Sequence, residues 1–194
     1  MEEPKSRCCL PELRSATAAF AGTRVQAGPA LDRRLILPLT LCLRVWSGLV
    51  ARSDGHRESA AILLGRSDGS DDFALDAVFH HDLDDDRGEA LYVELTELGK
   101  TRLYDRLAAQ AQRIVALVHT HPGNWVGLSE VDRENQICSR VGVWSIVLPN
   151  YAAGPMKMPA SWGIHARLSK GWSTVQSKDV AQHIVIEGGH DGWP

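Results

Sequence analysis

Cysteine is scarce in this chain and badly placed for pairing. Of four cysteines, Cys8 and Cys9 are adjacent, and neither Cys42 nor Cys138 has a C-x-x-C partner. Adjacent cysteines do not easily bridge, so neither a disulfide framework nor a cysteine zinc knuckle is expected. That usage fits a reducing compartment. Long apolar runs are missing as well, all of them falling far short of the roughly 20 residues of a membrane span. The opening MEEPKSRCCLPELR is acidic and then basic, without the apolar core of a signal peptide, so the expected location is the cytoplasm. Charge is not one-sided either. Lys and Arg number 21 against 24 Asp and Glu, a net charge of -3, which gives no global reason to bind nucleic acid or an anionic membrane. Two zinc signatures are also absent, H-E-x-x-H and H-x-E with P-C-x-x-C.

What is present suits one domain of ordinary size, since 194 residues can enclose a real core. Residues 1–33 are rich in Ala, Gly, Pro and charge without clear periodicity, and are expected to be a loosely ordered or peripheral segment ahead of a domain spanning 34–194. RLILPLTLCLRVWSGLVARSDG predicts a strand at Leu35 to Leu37 and Pro38 in a first helical turn. Leu39, Cys42, Val45, Trp46 and Leu49 then line one helical face as far as Asp54 and Gly55. ESAAILLG and DFALDAVFH read as a hairpin, HHDLDDDRGEA as an acidic loop, and LYVEL as a further strand. TELGKTRLYDRLAAQAQR places Leu103, Leu107 and Ala111, with Tyr104 and Ala108, at helical spacing. IVALVHTH is a strand, SEVDRENQICSRVG a helix closing before Gly142, and VWSIVLPN a buried strand. WGIHARL, WSTVQ and HIVIEGG suggest edge strands or a terminal meander. Strands and helices alternate without a repeat, so the class is mixed α/β, with a mixed central β-sheet flanked by helices.

The chemistry concentrates in VALVHTHPGNWVGLSEVD. Side chains two apart on a strand face the same way, so His119 and His121 project together while Thr120 points to the other side. Asp132 follows eleven residues after His121, at the start of a helix that can fold back toward the strand end. Two imidazoles and one carboxylate are the ligand set of a catalytic zinc that keeps a fourth position for water. Simpler readings exist for each residue. A strand-end histidine is often structural, and Ser129 with Asp132 makes a capping box on its own. Trp125 either covers a substrate or packs its loop down. Adjacent His80 and His81 face opposite ways and border the acidic loop, itself a solvated turn or a docking surface for a basic partner. Cys138 reads as core packing.

Taken together, H-x-H-P, a short loop and S-x-x-D resemble the signature of the JAB/MPN (JAMM) metalloproteases. In that family a glutamate lies upstream, at the start of a short apolar strand after the first long helix; HRESAAILLG puts Glu58 in that role. The resemblance covers roughly Leu35 to Leu168 and implies a single JAB/MPN-type domain of cytidine-deaminase-like architecture. It implies one Zn2+ per chain held by His119, His121 and Asp132, with Glu58 as the acid-base group and Ser129 stabilising the oxyanion. The implied reaction is cleavage after the C-terminal Gly-Gly of a ubiquitin-like protein, as deconjugation or precursor processing. The chain is similar to small bacterial members that accompany ubiquitin-like, activating and conjugating proteins in cassettes, some of them antiviral. The alternative is a RadC-like or scaffold-type member without protease activity; the retained ligand positions and the lack of a basic face weigh against it.

Overall fold

The computed structural model describes residues 32–84, 95–134 and 137–188. Its centre is one eight-stranded sheet in the order β7-β6-β5-β4-β2-β3-β1-β8. The strands are β1 (Arg34–Pro38), β2 (Ala60–Asp68), β3 (Asp71–Phe79), β4 (Arg113–Thr120), β5 (Trp144–Leu148), β6 (Gly163–Leu168), β7 (Gly171–Thr174) and β8 (Ile184–Glu187). The β2-β3, β2-β4, β5-β6 and β6-β7 pairings are antiparallel, whereas β4-β5, β1-β3 and β1-β8 are parallel, so the sheet is mixed.

The long apolar run of β2 is explained by the two layers that cover the sheet. Ala61 and Leu63 face α1 (Leu39–Ser53), beside Val45, Trp46 and Leu49. Ile62 and Leu64 face the other way, into a second core with Leu103 and Leu107. Those two leucines come from α3 (Glu97–Gln110). A strand with helices on both faces loses the polar alternation of a half-exposed one. Leu49 and Leu103 are fully inaccessible, and each such side chain contributes about 1.5–3 kcal/mol on burial.

The start of α1 falls where the sequence places it: Pro38 is its N-cap with φ -59, and Asp54 closes it in the left-handed region with φ 48. The hairpin of β2 and β3 also forms as expected. Four details differ. His80–Leu83, expected as loop, is a short helix, α2, in which Asp82 pairs with Arg52 of α1 at 2.7 Å. On α3 the buried stripe is narrower than predicted: Tyr104 and Ala108 are exposed and Ala111 is the left-handed C-cap. Of SEVDRENQICSRVG, Glu130–Glu134 form α4 and 137–141 are not helical. Beyond it Ile137 and Cys138 pack against the α3-side core, and Arg140 reaches the Ile114 carbonyl, so that side of the sheet is covered without continued helix. Of the final three strands, β7 and β8 are the two edges of the sheet, as one of the two expectations has it, but the three are not one meander: β6 and β7 form a hairpin, whereas β8 crosses to the opposite edge beside β1.

The expectations for residues 1–31, for the remainder of the acidic loop and for most of LYVEL lie outside the described residues. Among the described residues no helix is long and apolar enough to cross a membrane.

Candidate metal centre

The site stands at the C-terminal end of β4, where parallel β4 and β5 open onto the loop leading to α4. His119 lies in the ladder between Ala60 of β2 and Val147 of β5. His121 has just left the strand, but its N–H still donates to the Leu148 carbonyl at 2.8 Å and its own carbonyl accepts from Tyr151 N–H at 2.8 Å. Both histidines therefore sit on backbone held by the sheet, which limits their freedom at little further entropic cost.

Three donor atoms converge. The two Nε2 atoms are 3.1 Å apart, and the Asp132 oxygens lie 3.5 Å from His119 Nε2 and 3.4 Å from His121 Nε2. A tetrahedral zinc with bonds near 2.0–2.1 Å needs its ligand atoms about 3.3 Å from one another; here Asp132 turns Oδ1 to His119 and Oδ2 to His121, and with one atom taken from each residue the three lie within 4.8 Å of one another. The His121 tautomer fits as well. Its Nδ1 lies 3.1 Å from the Trp125 carbonyl oxygen, which can only accept; Nδ1 carries the hydrogen and Nε2 is left with its lone pair toward the centre. Burial works against ionising Asp132, yet its close contacts with His119, His121 and Ser129 hold its carboxyl well below the usual range. Burial likewise opposes charging His121, but Asp132, the Trp125 carbonyl and Glu58 raise its pKa. The cluster thus attracts positive charge to its middle.

Around it is a cleft of about 330 Å³ lined by Glu58, His121, Pro122, Trp125, Ser129, Val131 and Asp132, among others. All six residues singled out in the sequence thus meet here, His119 through its contacts with His121 and Asp132. Glu58 is half-buried. Burial pushes its carboxyl up to about 7, His121 pulls it down and Asp132 pushes it further up. Ser129 and Asp132 do form the capping box: Ser129 N–H donates to Asp132 Oδ2 at 2.7 Å and Asp132 N–H to Ser129 Oγ at 3.0 Å. Ser129 also lines the cleft, beside Asp132. Trp125 is 58% exposed and stacks on the His121 ring at 5.0 Å and 14°.

Three supports of the site carried no local signal. His165, fully buried, bonds the Val126 carbonyl at 2.9 Å and Thr174 Oγ1 at 2.9 Å, although 39 residues separate it from Val126. Asn150 Nδ2 donates to Asn124 Oδ1 at 2.7 Å and Asn150 N–H to the Gly123 carbonyl at 3.0 Å. Asn150, Tyr151 and Ala152 are consecutively left-handed, with φ of 54, 54 and 57. Each such residue costs about 1–2 kcal/mol, here offset by the backbone bonds that grip the ligand loop. His80, the first residue of α2, is buried, and that burial pushes its pKa down to about 3, so it is neutral.

No protein-family model matches the chain. Among solved structures, one of a protein from Desulfitobacterium hafniense is similar with a TM-score of 0.53 and 13% identity, over 81% of this chain and 95% of that one. Another, of a protein from Salinibacter ruber, has a TM-score of 0.49 and 17% identity, over 81% and 94%. The first likeness shows a shared fold.

Proposed function

We propose that this chain is a zinc-dependent peptidase or isopeptidase of the JAB/MPN kind, with that family's deaminase-like architecture, cleaving after the C-terminal Gly-Gly of a ubiquitin-like protein. One observation carries the reading: His119, His121 and Asp132 offer atoms all within 4.8 Å of one another, at the rim of a cleft that also holds Glu58 and Ser129. A zinc ion on those three residues supplies acidity to a water and polarises the scissile carbonyl. Glu58, with a pKa near neutrality, takes the proton from the attacking water and returns it to the leaving amine nitrogen. Ser129 donates its hydroxyl hydrogen to the oxygen of the tetrahedral intermediate, a contribution of about 3 kcal/mol where such donors have been removed. Trp125 covers the substrate chain beside His121.

The test has a metal arm and a chemical arm. Purified protein should hold one zinc per chain, and His121→Ala or Asp132→Ala should release it. Glu58→Gln should retain zinc and lose cleavage of a ubiquitin-like protein fused through Gly-Gly to a reporter. Zinc retained after both ligand changes, or a fully active Glu58→Gln enzyme, would overturn the assignment.

A further inference from the structure

We propose that Ser59 and Thr120 form a latch, behind the sheet from the metal ligands, that sets where Glu58 stands relative to His119 and His121. Both are positioning residues, and the inference rests on the hydrolase reading above.

The geometry is a departure from a regular ladder. Directly opposed residues in a narrow antiparallel pair exchange two N–H···O bonds between their backbones. Thr120 N–H does donate to the Ser59 carbonyl at 3.0 Å. In return, however, Ser59 N–H donates to the Thr120 hydroxyl at 3.0 Å. Ser59 Oγ lies 3.4 Å from that hydroxyl and donates to the Leu49 carbonyl of α1 at 3.0 Å. Both residues are 0% exposed, so no water competes for these groups.

The replaced rung explains how the chain leaves the sheet where it must. The Ser59 N–H is tied to a side chain instead of to the partner's carbonyl, and the residue before it is Glu58, in the cleft. The other half of the latch lies between the two histidine ligands, pointing away from them toward α1. A β-branched side chain has few rotamers, so the Thr120 hydroxyl is a stiff acceptor. One fully buried contact therefore yokes the acid-base residue to the strand that bears the ligands, without touching substrate. General-base chemistry is sensitive to such spacing: a shift of about 1 Å costs about 100-fold.

Thr120→Val keeps the shape and removes the acceptor; Thr120→Ser keeps the acceptor. We expect Thr120→Val to bind one zinc and hold KM within about threefold while kcat falls about 10- to 100-fold, with Thr120→Ser close to the wild type. In a Glu58→Gln background the Thr120→Val change should cost almost nothing further, a non-additivity that a merely structural role would not give. Ser59→Ala, which cuts the tether to α1 and the 3.4 Å hydroxyl contact but leaves the Ser59 N–H bond to Thr120 in place, should show a smaller fall in kcat and guards against misfolding of the first variant. Independently of activity, the NMR resonances of Glu58 and the Ser59 amide should shift in Thr120→Val and not in Thr120→Ser. Unmoved resonances, or equal kcat in all three variants, would overturn the latch. A wild-type protein that holds zinc and cleaves no ubiquitin-like fusion would refute the hydrolase reading instead, leaving the resonances to decide the latch.

Discussion

Gly163 offers the sharpest test of how the site loop is held. It lies on β6 opposite Val147, under the loop that carries Trp125 and Ser129. A Cβ at this position would come within 1.8 Å of the Val126 carbonyl oxygen, so Gly163→Ala forces the loop back by about 1.5 Å to regain ordinary contact. That retreat breaks the 2.9 Å bond from His165 to the same oxygen and drags on Trp125, whose carbonyl fixes the His121 tautomer. Overpacking and one unmade buried hydrogen bond together cost about 3 kcal/mol, a fall in Tm of about 6–12 °C for a domain of this size. Loss of the support behind a proposed metal ligand should weaken zinc binding about 10- to 100-fold. Thermal unfolding of chelator-treated protein reads the first effect, and competition with a chromophoric chelator the second. Gly123→Ala is the control, because a Cβ there meets nothing within 4 Å and its backbone is not left-handed. A Gly163→Ala protein within about a degree of wild-type Tm, with unaltered zinc affinity, would refute this account of the loop.

Other outcomes follow from burial. His80 and His165 both have pKa values lowered by burial, His80 to about 3. Below about 6.5 the unfolded chain takes up protons that the native state refuses. The stability these two histidines contribute is therefore full above that pH and lost as pH falls toward the folded values, by up to about 1.4 kcal/mol per pH unit for each; Glu58 and His121, both raised, act in the opposite sense, so denaturant midpoints at pH 7 and pH 5.5 should differ accordingly in metal-free Glu58→Gln/His121→Ala protein, which lacks them. Burial pushes the Cys42 thiol up to about 12, so pulse alkylation and peptide mapping should leave Cys42 unlabelled in the native state while half-exposed Cys138 reacts. Thr96 caps α3 by accepting from Gly99 N–H at 3.1 Å and is itself held by Asp84. Thr96→Ala should cost about 1 kcal/mol in chemical denaturation, and no loss would contradict the cap.

What could be read from the sequence was whatever is decided within a few residues. The helical face of Cys42, Val45, Trp46 and Leu49, the proline before it, and the paired projection of His119 and His121 all follow from short periodicities. That 137–141 are not helical was not legible, because Ile137 and Cys138 are drawn to the core and Arg140 to the Ile114 carbonyl. Nor was the role of His165, whose two partners come from a loop and from a neighbouring strand. The left-handed turn of Asn150, Tyr151 and Ala152 lacks the glycines that advertise such backbone.

Ser129 and Asp132 show a different kind of limit. A cap and a metal centre look like competing explanations of S-x-x-D, but the atoms do not compete. The capping box uses the Ser129 amide, one hydroxyl lone pair and one carboxylate oxygen of Asp132. A carboxylate has about four lone-pair sites, so Asp132 can cap the helix and still face both imidazoles. The cap even favours the second role, since the Ser129 amide helps to keep Asp132 ionised and fixes the carboxylate in one orientation. A local pattern that serves the helix start completely is therefore no argument against a ligand. Only the remote partners distinguish a bare cap from a site, and here they are His119, His121 and, across the cleft, Glu58.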